Sequence, residues 1–138
     1  MNLLHLFDLS FINRRDEVAL EWNGATFTFG DVDARSNRVA NALRARGLRK
    51  GDRLCVYLGN RIELIDLFVA CVKLGVIFVP INILYRDREI AHITSDAEPA
   101  LFVTEDELPP MSDDDSRPHE SLDGDTPAAI IYTSGTTG

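Results

Sequence analysis

The sequence predicts an α/β fold: a mainly parallel sheet covered by helices, with a β-hairpin on its amino-terminal side. Three observations carry that prediction. From residue 30 onward, apolar runs of strand length alternate with stretches of helical periodicity, the order that builds parallel strands joined by crossover helices. Asn23-Gly24 sits between two short β-prone runs, and this dipeptide favours a type I′ turn, in which both central residues need positive φ. The last eleven residues, AAIIYTSGTTG, pass from an apolar strand-like run straight into a loop of hydroxyl and glycine residues.

The elements follow in order. Leu3, Leu6, Phe7, Ser10 and Phe11 fall at helical spacing and predict an amino-terminal helix that docks through this face. Val18 to Trp22 and Ala25 to Phe29 form the hairpin. Thr28 can then cap a helix, with Asp31 as a short-armed capping-box acid; Val32, Ser36, Val39, Ala40 and Leu43 make its inner face. Arg35, Arg38, Arg44 and Arg46 lie mostly outside that face, and Gly47 ends the helix. Arg53 to Leu58 reads as a nearly continuous apolar strand, and Asn60 with Glu63 marks the start of a helix that is apolar almost all round and therefore buried. Gly75 closes it, and Val76 to Ile81 forms the next strand, ended by Pro80. Arg86 to Ala97 carries Ile90, Ile93 and Ala97 on one helical face, and Ala100 to Val103 is a third strand. Asn82 and Tyr85 follow the second strand, where they either pack the turn or line a substrate channel.

Composition narrows the class. At 138 residues, 45% hydrophobic and 26% charged, the chain is long enough for one domain with a buried core. Its net charge of −8 arises in one place: Glu105 to Asp125 holds nine acids and one base, Arg117, while the remainder is neutral. Such a stretch is expected to be a solvated, mobile loop, and the acidity argues against a nucleic-acid partner. Cys55 and Cys71 sit inside apolar runs, so buried reduced thiols are expected rather than a disulfide or a metal pair. His5, His92 and His119 are scattered, and no metal site is expected from them. Glu63, Asp66, Lys73, Gly75 and Pro80 interrupt the long apolar region from Ile62 to Leu84 too often for a membrane span. The opening residues lack a basic region and carry Asp8 inside their apolar part, which predicts a cytoplasmic protein rather than an exported one. One partial domain over 1–138 is expected, with an N-terminal helix in 1–17, the hairpin in 18–29, α/β units in 30–104, the acidic loop in 105–126 and a terminal strand and loop in 127–138.

The terminal loop is where chemistry is expected. Thr133, Ser134, Gly135, Thr136, Thr137 and Gly138 combine two glycines, which let backbone come close to a ligand, with four hydroxyls and successive N–H groups as donors. Phosphate oxygens suit such a concavity, although the same residue types also build ordinary solvent-facing turns. A Walker A loop is excluded, because position 133 is Thr133 and no lysine follows the final glycine. A nucleophile elbow is excluded as well, because Tyr132 and Thr136 occupy the glycine positions around Ser134.

The run YTSGTTG, Tyr132 to Gly138, resembles the phosphate-binding signature of the AMP-forming adenylating enzymes, the superfamily of acyl-CoA synthetases, peptide-synthetase adenylation domains and luciferases. Thr28 to Asn41, Lys50 to Asn60 and Leu74 to Tyr85 are similar to the amino-terminal region of acyl-CoA synthetases, and VPINILY looks closer to these than to peptide-synthetase domains. The resemblance implies a carboxylic acid attacking the α-phosphate of ATP to give an acyl-adenylate and pyrophosphate, then transfer of the acyl group to coenzyme A. It implies magnesium on the nucleotide and a phosphate-holding role for Thr133, Ser134, Gly135, Thr136, Thr137 and Gly138. It also implies that the adenine and ribose contacts, a magnesium-binding acid and a catalytic lysine lie beyond Gly138. The chain is then expected to be the front part of a longer ligase, inactive by itself, with a non-catalytic binding or interaction module as the alternative.

Overall fold

The chain runs α1 (Leu3–Asn13), β1 (Val18–Trp22), β2 (Ala25–Thr28), α2 (Phe29–Ala45), β3 (Arg53–Tyr57), α3 (Ile62–Leu74), β4 (Ile77–Pro80), α4 (Asp87–Ala97) and β5 (Leu101–Thr104). The structure, a computed structural model, describes residues 3–122 and 127–133. β1 and β2 pair antiparallel as the hairpin, and β4-β3-β5 form a parallel sheet in that order. β3 is the axis, pairing Leu54 with both Phe78 of β4 and Leu101 of β5.

Side chains alternate across a strand, so the sheet needs a cover on both faces. Leu54, Val56, Phe78 and Val103 meet Leu43 of α2 and Leu67, Ala70 and Leu74 of α3 on one face. Cys55, Ile77, Val79 and Ile81 meet Ile93 and Ala97 of α4 on the other. A smaller cluster of Phe11, Val32 and Val69 docks α1 against α2 and α3. Both cysteines are buried and unpaired, and burial pushes the Cys55 thiol up to about 11. Among the described residues, no helix is long and apolar enough to cross a membrane.

The local turns form as their residues dictate. Asn23 and Gly24 take φ of 53° and 82°, as a type I′ turn requires. Thr28 Oγ1 accepts from the Asp31 amide at 3.0 Å while the Asp31 carboxylate accepts from the Thr28 amide at 2.9 Å, completing the capping box. Gly75 ends α3 in the left-handed region at φ 71°.

Three expectations are corrected, the third of them on the terminal strand. The N-cap of α3 is Arg61, not Asn60, and it makes no side-chain capping bond because a guanidinium has no acceptor to offer the first helix amides; it donates to Glu63 instead, at 3.0 Å. Arg35, expected outside the inner face of α2, is half-buried against Asp66 of α3. The acid-rich stretch, in its described part, is a loop without helix or named strand, and it is laid as a strap along α2. Asn37 donates to the Asp115 carbonyl, Asn41 to those of Asp114 and Ser116, and Lys50 to that of Ser121, at 2.8 to 2.9 Å. The strap is the crossover that returns the chain from the end of β5 to the free edge of β4, and neutral side chains of α2 supply the donors its carbonyls need.

The strand expected over Ala128 to Tyr132 is cut to a single parallel bridge, Phe78 with Ala129. The Phe78 amide donates to the Ala128 carbonyl and the Ile130 amide to that of Phe78, both at 3.0 Å. In a parallel ladder the next donor toward this edge is residue 80, two along from Phe78, and Pro80 has no N–H to give. Pairing therefore stops at Ile130, and Ile131 stands 72% exposed.

Candidate functional site

Parallel strands place ligands at their carboxyl ends, and in this sheet that edge is made by Tyr57, Thr104 and the turn after β4. An open cleft of about 500 Å³ lies there, lined by Tyr57, Gly59, Ile83, Thr104, Glu105 and Asp106. The turn behind it is fixed by polar contacts. Asn82 Oδ1 accepts from the Leu84 amide at 2.9 Å, and the Tyr57 hydroxyl lies 2.9 Å and 2.7 Å from the carbonyl oxygens of Ile83 and Tyr85. The Arg86 guanidinium donates to those same two carbonyls and to the Tyr57 hydroxyl. Asn82 and Tyr85 therefore pack the turn, and neither lines the cleft. Two carboxylates on its wall, Glu105 and Asp106, make it a poor place for phosphate.

The segment expected to hold phosphate follows the bridge at Ala129. Ile130 and Tyr132 pack against the α4 side of the sheet, with the Tyr132 ring edge-on to His92 at 6.4 Å. The Tyr132 hydroxyl donates to the Asp96 carboxylate, a bond that raises the phenol above its ordinary value. Thr133 follows, exposed. Ser134, Gly135, Thr136, Thr137 and Gly138 lie outside the described residues. Of the six predicted site residues the structure thus places Thr133 alone, just past a tyrosine pinned to α4.

A second polar constellation is not predicted from the sequence. Lys73 of α3 is 1% exposed, and its Nζ donates to Asp33 Oδ1 at 2.6 Å, Asn37 Oδ1 at 2.7 Å, Ser36 Oγ at 2.8 Å and the Asp33 carbonyl at 3.1 Å. Burial pulls Lys73 down to about 8 against the opposing pull of Asp33. Burial would raise Asp33, but hydrogen bonds from Lys73, Arg15 and Arg117 win and hold its carboxyl below the ordinary value. The letters do carry a signal: beyond Glu63 in the first turn, Asp66 and Lys73, seven apart, put two charges on one face of a helix that is apolar elsewhere. Among the described residues, no group of three or more His, Cys, Asp or Glu could hold a metal ion.

Comparison with known proteins matches this geometry to a family. The AMP-binding enzyme family model matches residues 8–138. A fatty acid–[acyl-carrier-protein] ligase, ScoC of Streptomyces coeruleorubidus, is 34% identical over 83% of the chain and 27% of its own length. Surfactin synthase subunit 2 of Bacillus subtilis is 28% identical over 96% of the chain and 4% of its own. In structure, the N-terminal subdomain of Klebsiella oxytoca NpsA, solved in complex with 3-hydroxybenzoyl-AMSN, superposes with a TM-score of 0.88 at 25% identity, over 99% of the chain and 38% of that subdomain. The chain spans about a quarter of the length of the curated ligase it matches. A family match that runs from the second half of α1 through the helices, the sheet and the strap to the terminal hydroxyl-glycine run shows that this chain belongs to the AMP-binding enzymes, the AMP-forming adenylating superfamily.

Proposed function

We propose that these residues form the amino-terminal part of a ligase that activates a carboxylic acid with ATP, through an acyl-adenylate, and then passes the acyl group to a thiol. The observation that carries this reading is the run from Tyr132 to Gly138, hydroxyl and glycine residues following an apolar segment bridged to the free edge of β4. Thr133, Ser134, Gly135, Thr136, Thr137 and Gly138 would hold the outer phosphates of ATP, because preorganised O–H and N–H donors steady the charge that builds on departing pyrophosphate. Their donor set fits phosphate: many hydrogens to give, and no carboxylate among them to repel it. Magnesium would arrive on the nucleotide, where it offsets phosphate charge. A cytoplasmic location goes with this reading, in keeping with small-molecule substrates and buried, unpaired cysteines.

Coenzyme A is the acceptor this reading favours, from the likeness of the segment VPINILY to free-standing synthetases. A second acceptor, the phosphopantetheine thiol of a carrier protein, is favoured by one observation: ScoC, 34% identical, is an acyl-carrier-protein ligase. Thioester formation by the complete enzyme, scored over a panel of carboxylic acids with ATP and either coenzyme A or a loaded carrier protein, separates the two. Thioester on coenzyme A supports the first reading and thioester on the carrier alone the second. Absence of acid-dependent AMP release with every acid contradicts both.

A further inference from the structure

Arg117 is the one base of the acid-rich strap, and it is turned inward. Its guanidinium lies 2.7 Å from Asp8 Oδ1 of α1 and 3.2 Å from Asp33 Oδ1 of α2, and it donates to Asp8 Oδ2 at 2.9 Å. Asp33 also takes Lys73 of α3 and, at 2.8 Å, Arg15 from the connection after α1. Three cations thus share two carboxylates, and four segments far apart in sequence meet at one point. The other described contacts of the strap with α2 and its neighbourhood are weaker or less specific: Asn37, Asn41 and Lys50 donate to its backbone carbonyls, the Ser112 amide donates to the Arg38 carbonyl, and the Arg44–Glu120 ion pair is stretched to 4.0 Å. Among the described strap residues, Arg117 supplies the side-chain ion pairs that tie the strap to α1 and α2 together.

Downstream of this pin the chain re-enters the sheet at Ala128, held to β4 by the two hydrogen bonds at Phe78. Two bonds on an edge, with Pro80 blocking a third, are too few to specify register by themselves. The remaining constraint comes from both sides of the bridge: from Ile130 and Tyr132, packed on the α4 side with the Tyr132 hydroxyl on Asp96, and from the strap that precedes it. We propose that Arg117 is a positioning residue: by locking the strap to Asp8 and Asp33 it sets how residues 128–130 lie along β4, and so where Tyr132 and Thr133 leave the sheet. Its effect on ATP use rests on the phosphate-binding reading of residues 133–138; its effect on the sheet edge does not.

Residue-resolved hydrogen exchange on the complete enzyme tests this. Arg117→Met, which keeps bulk and removes charge, is expected to speed exchange at the Phe78 and Ile130 amides by at least about tenfold, the scale of local opening when a partly buried pair loses one partner. The Cys55 and Val56 amides of β3 serve as internal references and should not change. Arg117→Lys should recover most of the protection, and the KM for ATP of Arg117→Met should rise more than kcat falls. Unchanged exchange at Phe78 and Ile130 would overturn the proposal, as would an equal rise at β3, which would reduce Arg117 to a contributor to global stability. If the wild-type enzyme forms no adenylate, the function proposed above fails, while the exchange data still decide the role of Arg117.

Discussion

Lys73 carries a charge into the interior and is satisfied there by three oxygen-bearing side chains of α2, one α2 carbonyl and the face of Phe11, 5.0 Å from its Nζ. With three cations on two carboxylates the cluster holds one positive charge too many, and the least exposed member yields. Burial, aided by the nearby Arg117, takes Lys73 down to about 8 in the folded state. An unfolded lysine titrates near 10.4, so between these values the unfolded chain binds a proton that the folded one has released. Stability contributed at this site therefore rises with pH across that window, by up to about 3 kcal/mol. Chemical denaturation at pH 7 and pH 10 should show this gain in the wild type relative to Lys73→Met, which lacks the titrating group. Taking the difference removes the opposing trend from Cys55 and Cys71, whose thiols burial raises. Identical pH dependence in the two proteins would contradict the assignment.

Between elements, α2 and α3 are joined by a second buried pair as well as by their apolar faces. Asp66 is fully buried, and burial raises its carboxyl; Arg35 resists with Nη2 at 2.7 Å and Nε at 3.1 Å, while lying over the Phe27 ring at 5.2 Å. Arg35→Met leaves that carboxylate buried without its partner and should cost about 3 kcal/mol in denaturant unfolding, whereas Arg35→Met with Asp66→Leu should recover most of the loss. A single-variant cost near zero would show that Asp66 is satisfied some other way. Such pairs also mark the limit of what local sequence can specify. Periodicity and turn chemistry locate α2, α3, β3, β4 and the hairpin, because each depends on residues close in sequence: Asn23-Gly24, Thr28 with Asp31, Gly75. The partners of Asp66, Lys73 and Arg117 sit 31 to 109 residues away, and no local pattern names them. The strap is illegible for the same reason. Its composition is that of a solvated loop, but its carbonyls are claimed by Asn37 and Asn41, whose inward aim depends on the fold. The terminal strand is shorter than its letters suggest, because apolar residues report burial and not whether a neighbouring strand has a donor to offer. Pro80 ends its own strand and, less visibly, stops the next one.

For the whole molecule, the parallel sheet, its covering helices and the strap together bring one segment to one edge. α2, α3 and α4 sandwich three parallel strands, the strap carries the chain back across α2, and the single bridge at Ala129 starts the terminal run beside β4. The family is legible in YTSGTTG alone, since that run is local and specific; its phosphate-holding geometry lies in residues 134–138, outside those described, and stays a proposal. The most direct measurement is acid-dependent ATP–pyrophosphate exchange by the complete enzyme and its Gly135→Val and Thr136→Ala variants. Bulk at Gly135 should abolish exchange by keeping the backbone from phosphate. Loss of the Thr136 hydroxyl should leave measurable but weaker exchange, a removed donor being worth about 3 kcal/mol in comparable sites. Wild-type exchange rates in Gly135→Val would contradict the claim that this hydroxyl-glycine segment grips the nucleotide.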